Sequence, residues 1–325
     1  MEYRLLGRTG VRVSSLCFGT MSFGTTADEA ESARMFARCR DVGINFFDTA
    51  NTYGKGRSEE ILGDLMAGIR DDLVITTKAG FPVGEAVNQK GASRRFLMMQ
   101  VEASLKRLKT DRIDVYFIHR WDPDTPMDES MRALDDLVTQ GKILYPAVSN
   151  WAAWQIATTL GISAREGLAR FEVMQPMYNL VKRQAEVELL PLAQAEQIGV
   201  IPYSPLGGGL LTGKYTTTSK PESGRLLEDK MYMVRYGEQI YYEVATRVTE
   251  YAAQKGIPVP TLAVAWVMTH PAVTAAIIGA RNVAQLNDSL AAVELGMTPE
   301  WRAEVSALSP QPPPATDRLE EQKQG

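Results

Sequence analysis

Short runs of β-branched and aromatic residues alternate along this chain with longer segments in which apolar residues recur at helical spacing. Each of eight such runs predicts a β-strand: Leu16–Gly19, Ile44–Phe47, Leu73–Thr77, Val115–Ile118, Ile143–Val148, Phe171–Met174, Val200–Tyr203 and Ala276–Ile278. Strands that are connected by crossover helices run parallel, so this alternation predicts a parallel sheet with helices packed against it.

The segments between the strands predict amphipathic helices of about 10–18 residues. Two of these segments have clear apolar faces, formed by Leu97, Val101, Leu105 and Leu108 in the third helix and by Met131, Leu134 and Leu137 in the fourth. Ser58 is the predicted N-cap of the second helix, because Glu59 and Glu60 then occupy the first turn, where the helix dipole favours negative charge.

Eight successive strand–helix units are typical of the α/β class and of a closed (β/α)8 TIM barrel. An open, doubly wound sheet is the alternative, because the number of strands does not establish closure. Tyr3–Leu6 and Val11–Val13 predict an N-terminal β-hairpin whose turn is Arg8-Thr9-Gly10.

Two segments depart from the strand–helix repeat. Gly207–Arg235, after the seventh strand, is predicted to be a long irregular loop. Residues 309–325 are polar and rich in proline, so we expect a disordered tail. Residues 1–308 are predicted to form a single barrel domain, because α/β barrels of roughly 250 residues or more fold as one unit.

Composition and charge narrow the classes of function. The chain has 325 residues, of which 45% are hydrophobic and 23% charged, and a net charge of −4. That charge provides no basic field for nucleic acids or anionic membranes. Two cysteines, two histidines and no long apolar run favour a cytoplasmic protein without a disulfide framework or a metal site.

Polar residues follow the predicted strands at the points where the strands end. In a parallel barrel the carboxyl ends of the strands meet at one mouth, where barrel enzymes keep their chemistry. Each residue alone could cap a turn or face solvent. Such structural roles would have to arise independently at the ends of seven successive strands, which favours a shared site. From the second strand to the eighth these residues are Asp48, Lys78, His119, Ser149 and Asn150, Gln175, Tyr203 and Ser204, and Gly279.

The sequence around these positions resembles the aldo-keto reductase superfamily, and most closely the branch that includes bacterial reductases and potassium-channel β subunits. The resemblance runs from about residue 3 to residue 295. It rests on the segments FFDTANTYGKGRSEEILG (46–63), ITTKAG (75–80), IDVYFIHRWDP (113–123), GKILYPAVSNW (141–151), MQPMYNL (174–180), IPYSPLGGGLLTGKY (201–215) and AAIIGARNVAQL (275–286).

The resemblance implies a catalytic tetrad of Asp48, Tyr53, Lys78 and His119. Hydride delivery to a carbonyl creates an alkoxide, which needs a proton donor. A neighbouring ammonium about 3.5 Å away stabilises a tyrosine phenolate by at most about 5 kcal/mol. We therefore expect Lys78 to lower the pKa of Tyr53 by about two or three, with Asp48 holding the ammonium and His119 orienting the carbonyl.

The resemblance also implies NADP(H) as cofactor. The Rossmann glycine fingerprint is absent, and a Gly-rich stretch after the seventh strand offers backbone amides that can approach a pyrophosphate instead. In this interpretation Tyr203 stacks on the nicotinamide. Arg281, with Lys214 as a weaker contact, binds the 2′-phosphate and so favours NADP(H) over NAD(H). The family's acidic residue followed by Asn is here Asp288 followed by Ser289. The other implied contacts are Thr20, Met21, Ser149, Asn150, Gln175, Ser204, Pro205, Leu206, Gly207, Gly209, Gly279 and Gln285.

Trp121 and Trp151, each close after an implied site residue, are candidates for the wall of the substrate pocket. The predicted activity is NADPH-dependent reduction of an aldehyde or ketone, with a small-molecule carbonyl compound as the partner. A cofactor-binding regulatory subunit of the channel-β type and a different barrel enzyme, such as an isomerase, are the alternatives. The sequence leaves the identity of the carbonyl compound, the direction of the reaction and homo-oligomerisation open.

Overall fold

The computed structural model describes residues 1–320, so the last part of the predicted tail, residues 321–325, lies outside the described residues. From Pro310 to Arg318 the chain forms neither helix nor strand. No helix among residues 1–320 is both long enough and apolar enough to cross a membrane.

Eight parallel strands form one sheet in chain order, except that the last strand pairs with the first. The sheet is closed where the Ile277 N–H donates to the Pro202 carbonyl (3.0 Å) and the Thr274 N–H donates to the Val200 carbonyl (2.9 Å). Sequential order and closure confirm the (β/α)8 barrel and exclude the doubly wound sheet. The barrel strands are β3 (Leu16–Gly19), β4 (Phe46–Asp48), β5 (Val74–Ala79), β6 (Ile113–Ile118), β7 (Ile143–Ser149), β8 (Val173–Gln175), β9 (Gly199–Val200) and β10 (Ala276–Ile278).

The predicted N-terminal hairpin is confirmed as β1 (Tyr3–Leu5) paired with β2 (Arg12–Ser14). Leu6 and Val13, which flank its turn, are fully buried in the same apolar cluster as the inward-facing side chains of the barrel. Arg4 fastens the hairpin by donating to the carbonyls of Met268 (2.8 Å) and Val273 (3.2 Å). The hairpin therefore closes one end of the barrel.

Helices surround the barrel, and the larger apolar core lies between them and the strands. The predicted faces of the third and fourth helices are buried there. The helices are α1 (Glu29–Asp41), α2 (Arg57–Leu65), α3 (Arg94–Leu108), α4 (Met127–Thr139), α5 (Ala153–Glu166), α6 (Leu189–Glu196), α7 (Arg225–Glu228), α8 (Lys230–Tyr236), α9 (Gln239–Lys255), α10 (Val259–Met268), α11 (Val283–Leu290) and α12 (Pro299–Ser306).

Two local predictions were wrong. Ser58 does not cap α2, because Gly56 holds the N-cap position with φ +97°. The buried Ser58 hydroxyl instead donates to the Thr20 carbonyl (2.8 Å). The segment Gly207–Arg235 is not irregular, because it contains a 3₁₀ helix (Gly207–Thr212), α7 and most of α8.

Candidate active site

The polar residues of the mouth continue the inward faces of the barrel strands. Side chains two residues apart on a strand point to the same face. Phe46 is an inward apolar residue of β4, and Asp48 follows it on that face. The same step of two residues leads from Val74 to Thr76 and Lys78, and further pairs are Phe117 and His119, Ala147 and Ser149, Val173 and Gln175, and Ile201 and Tyr203.

A buried ion pair forms the floor of the site. The Lys78 ammonium donates to Asp48 Oδ2 and to the Thr49 carbonyl, both at 2.6 Å. Lys78 is 0% and Asp48 2% exposed. The other carboxylate oxygen of Asp48 accepts from Thr76 Oγ1 (2.6 Å) and from Gln175 Nε2 (2.9 Å). These bonds fix the carboxylate and satisfy the lone pairs that burial would otherwise leave without partners.

Tyr53 lies beside this ion pair, in a 3₁₀ turn (Tyr53–Gly56) that follows β4. The Lys78 nitrogen lies 5.1 Å from the centroid of the Tyr53 ring. The His119 ring approaches the Tyr53 ring edge-on, with 6.2 Å between centroids. The structure thus brings Asp48, Tyr53, Lys78 and His119 together around one point of the mouth.

The electrostatics of this group differ from the sequence-based prediction in one respect. Burial raises the pKa of the Tyr53 phenol above its usual value of 10.0, and the Lys78 ammonium offsets this only in part. The expectation of a lowered Tyr53 pKa is therefore wrong, because it omitted the cost of burying a phenolate. Burial opposes the charged form of Lys78 too, but the Asp48 carboxylate, assisted by the ionised form of Tyr53, raises the net pKa of the amine above 10.5.

His119 is held in its neutral form. Burial, assisted by the Lys78 ammonium, lowers its pKa well below 6.5. Its Nδ1 has no hydrogen-bond partner among the described residues, and the Phe81 ring packs against it edge-on at 4.6 Å. A neutral imidazole keeps one N–H to donate to a ligand.

A cavity of about 790 Å³ opens above the group and extends away from it. The Tyr203 hydroxyl donates to Asn150 Oδ1 (2.7 Å), and Asn150 Nδ2 donates to the His119 carbonyl (2.9 Å). Burial raises the pKa of Tyr203 to about 12. The sequence-predicted residues that line the cavity are Met21, Asp48, Tyr53, His119, Ser149, Asn150, Gln175, Tyr203, Ser204, Pro205, Leu206, Gly209, Lys214, Gly279, Arg281, Gln285 and Asp288.

The far end of the cavity is organised by α11. Asn282 caps this helix by accepting from the Gln285 N–H (3.0 Å). Gln285 and Asp288 are three residues apart and so share one helix face, which turns toward the cavity. The Gln285 side chain accepts from the Arg281 N–H (3.2 Å), which holds the loop after β10 against the helix.

Besides Lys78, which lies beneath the floor of the cavity, four of the predicted residues do not line it. Thr20 is fully buried, with its hydroxyl donating to the Asp48 carbonyl (3.1 Å), and Gly207 is buried beside the lining. Trp151 is buried against Phe171 and Trp121, with centroids 5.5 and 4.7 Å away, so neither tryptophan lines the cavity. Both rings pack against the apolar layer between strands and helices.

Sequence reasoning missed several lining residues, among them two in the loop after β5 and four on α7 and α8. Phe81 and Pro82 directly follow the family-like segment ITTKAG (75–80), so their position next to that segment was a signal for them in the sequence. The four on α7 and α8 lie in the segment that was predicted to be irregular and that carries no strand-end signal: Arg225, Met231, Tyr232 and Arg235.

A closed (β/α)8 barrel with a large cavity at the carboxyl ends of its strands defines the class of barrel enzymes. Residues 15–309 match the model of the aldo/keto reductase family, and the chain belongs to that family. Members of the family act on small-molecule carbonyl compounds and use nicotinamide cofactors.

Three relatives show how far the similarity extends. The chain is 35% identical to a "Probable voltage-gated potassium channel subunit beta" of Oryza sativa subsp. japonica, over 98% of this chain and 99% of that protein. It is 36% identical to the "Uncharacterized oxidoreductase YrpG" of Bacillus subtilis (strain 168), over 96% and 97%. Identity to the "Versiconal hemiacetal acetate reductase" of Aspergillus parasiticus is 33%, over 92% and 94%.

Proposed function

We propose that this protein reduces an aldehyde or ketone to an alcohol with NADPH, and that Tyr53 is the general acid. The observation that carries the proposal is the buried Lys78–Asp48 ion pair directly beside the Tyr53 ring at the floor of the cavity. Such a pair is costly to bury, so its place beside a phenol favours a catalytic role over a structural one.

The proton is moved by residues of this chain. Bound NADPH supplies the hydride. The raised pKa keeps Tyr53 protonated at neutral pH, the form that donates to an oxygen gaining negative charge. The Lys78 ammonium then stabilises the phenolate that remains, while Asp48 keeps the amine charged and in place. His119 donates its N–H to the carbonyl oxygen and orients it.

The residues at the cavity fit NADPH. Gly208 and Gly209 both line it at positive φ (+68° and +110°), which non-glycine residues rarely adopt, and a Cβ at Gly209 would meet no atom within 4 Å. Backbone amides of such a loop can approach a pyrophosphate closely. Arg281 and Lys214 offer cations for a 2′-phosphate, which favours NADP(H) over NAD(H).

A regulatory role is the second candidate, because the relative from Oryza sativa is described as a probable channel β subunit and aligns over nearly the whole chain. Such a subunit would bind NADP(H) in the same cavity with little turnover. The two candidates are separated by whether the bound cofactor is consumed.

The test is NADPH oxidation, followed by absorbance, with a panel of aldehydes and ketones. We expect Tyr53→Phe to lower kcat by at least about 100-fold while NADPH still quenches protein fluorescence. Tyr145→Phe is the matched control, because that hydroxyl contacts the Thr9 carbonyl (3.3 Å) and does not line the cavity. Unchanged turnover in Tyr53→Phe would remove the proposed acid, and NADPH binding without turnover on any carbonyl would favour the regulatory subunit.

A further inference from the structure

The cavity carries an excess of positive charge. Four cations line it: Lys214, Arg225, Arg235 and Arg281. The carboxylates in the lining are Asp48, which Lys78 already neutralises, and Asp288. The protein as a whole has a net charge of −4, so this concentration of cations is local to the cavity and indicates anionic ligands.

Lys214 and Arg281 belong to the end away from Tyr53, whereas Arg225 lies between the two ends and donates to the Tyr232 hydroxyl (3.4 Å). Lys214 directly precedes Tyr215, and Arg281 acts electrostatically on the Tyr215 phenol. The Tyr215 hydroxyl in turn lies against Gly224, the residue before Arg225. In the function proposed above, Lys214 and Arg281 face the phosphates of the cofactor.

Arg235 belongs to the catalytic end. Its guanidinium carbon lies 5.3 Å from the centroid of the Tyr232 ring, and it acts electrostatically on the Tyr203 phenol. Tyr203 is joined through Asn150 to the carbonyl of His119. The Tyr232 ring lies over the Gly-rich loop, because a Cβ at Gly208 would come within 2.6 Å of it.

Like Arg225 and Arg281 of the same cavity, Arg235 has no carboxylate partner among residues 1–320. Its guanidinium donates to Met231 Sδ at 3.6 Å, and it forms no ion pair within residues 1–320. The side chain is half-buried in a cavity wall, so it is partly desolvated without compensation by a carboxylate. A guanidinium in this state is suited to receive two oxygens of a ligand anion.

We propose that Arg235 is a specificity-determining residue that binds an anionic oxygen group, a carboxylate or a phosphate monoester, on the carbonyl substrate. The substrate class is therefore aldehydes or ketones that carry such an anion away from the reacting carbon. This inference rests on the proposed reductase function and adds to it the chemistry of the second substrate.

The experiment measures kcat/KM with NADPH for two matched pairs of substrates. The first pair is 4-carboxybenzaldehyde and its neutral methyl ester, and the second is glyceraldehyde 3-phosphate and glyceraldehyde. We expect the wild-type protein to prefer the anion in at least one pair, and the preferred pair identifies carboxylate or phosphate. Arg235→Met is expected to lower the anion-to-neutral ratio by about 10- to 100-fold, mainly through KM, and Arg235→Lys to retain part of it.

Lys230→Met is the matched control, because Lys230 is an exposed cation of the same helix that does not line the cavity. It should leave the anion-to-neutral ratio unchanged. An equal preference for anion and ester in the wild type would overturn the proposal. So would a weaker affinity of Arg235→Met for NADPH, measured by fluorescence, with an unchanged substrate ratio. Absence of turnover on all four carbonyl compounds would count against the reductase function itself.

Discussion

At the scale of single residues, the mouth of the barrel is made by a change from apolar to polar side chains along one strand face. Phe46 and Asp48 are consecutive inward-facing residues of one strand, and Phe117 and His119 are consecutive inward-facing residues of another. This alternation is visible in the sequence, and it is why the strand-end residues of the candidate site could be predicted, whereas Tyr53 and most of the cofactor contacts were implied by the family resemblance. The bonds from Thr76 and Gln175 to Asp48 could not, because they depend on the register between strands that are distant in sequence.

The pKa values of the site predict the pH dependence of the reaction. His119 stays neutral as the pH falls through 6.5, because its pKa lies well below that value. Tyr53 is lost as an acid only when the pH rises through its own pKa, above 10. We therefore expect kcat/KM for reduction to be level from about pH 6 to about pH 9 and to fall at higher pH.

A pH–rate profile at saturating NADPH tests this expectation. The thermal stability of the protein should be recorded at each pH, so that a loss of folded protein is not taken for an ionisation. A limb of the profile between about pH 6 and 8 would mean either that His119 titrates near its unperturbed value or that the pKa of Tyr53 is lowered, and both are contrary to the structure.

At the scale of elements, strand positions were predicted better than strand ends. β9 ends at Val200 rather than Tyr203, because Pro202 has no N–H to donate to a neighbouring strand. α7 and α8 were missed because they have four and seven residues, too few for a helical period to show. Their positions depend on tertiary contacts, such as the one between Tyr232 and Gly208.

The contact between α2 and α3 depends on the absence of a side chain at Gly63. A Cβ there would lie 2.6 Å from the Arg107 carbonyl oxygen, whereas a Cβ at Gly161 of α5 would meet nothing within 4 Å. We expect Gly63→Ala to lower the free energy of unfolding by about 1–3 kcal/mol and Gly161→Ala to raise it by up to about 1 kcal/mol.

Urea denaturation of the two variants measures whether their free energies of unfolding change in opposite directions. Both glycines lie within helices and neither has positive φ, so helix propensity acts equally on the two substitutions. If Gly63→Ala were as stable as Gly161→Ala, the helices would not be packed as closely as the structure describes.

At the scale of the whole molecule, the fold class and the hairpin could be predicted from the alternation of elements, whereas closure of the barrel rests on hydrogen bonds that no sequence period encodes. We also propose that residues 1–308 are one domain, because Leu6 and Val13 of the hairpin region share the inner core with the barrel strands.

The hairpin predicts a contrast between two neighbouring leucines. Leu6 is 0% exposed at the end of the barrel, whereas Leu5 is 49% exposed. Leu6→Ala should lower the free energy of unfolding by about 2–5 kcal/mol, and Leu5→Ala by less than about 1 kcal/mol. Chemical denaturation measures both values, and equal losses would show that the hairpin does not seal the barrel.

The ion pair under Tyr53 has a consequence for how the protein can evolve. Charges held in an apolar interior are often less favourable to folding than well-packed hydrocarbon side chains of similar volume. Lineages that lose the need for turnover are thus free to replace Lys78 and Asp48 together and gain heat resistance. Retention of both charges in a descendant would then be a sign of selection on chemistry, since selection on robustness alone would favour their joint loss.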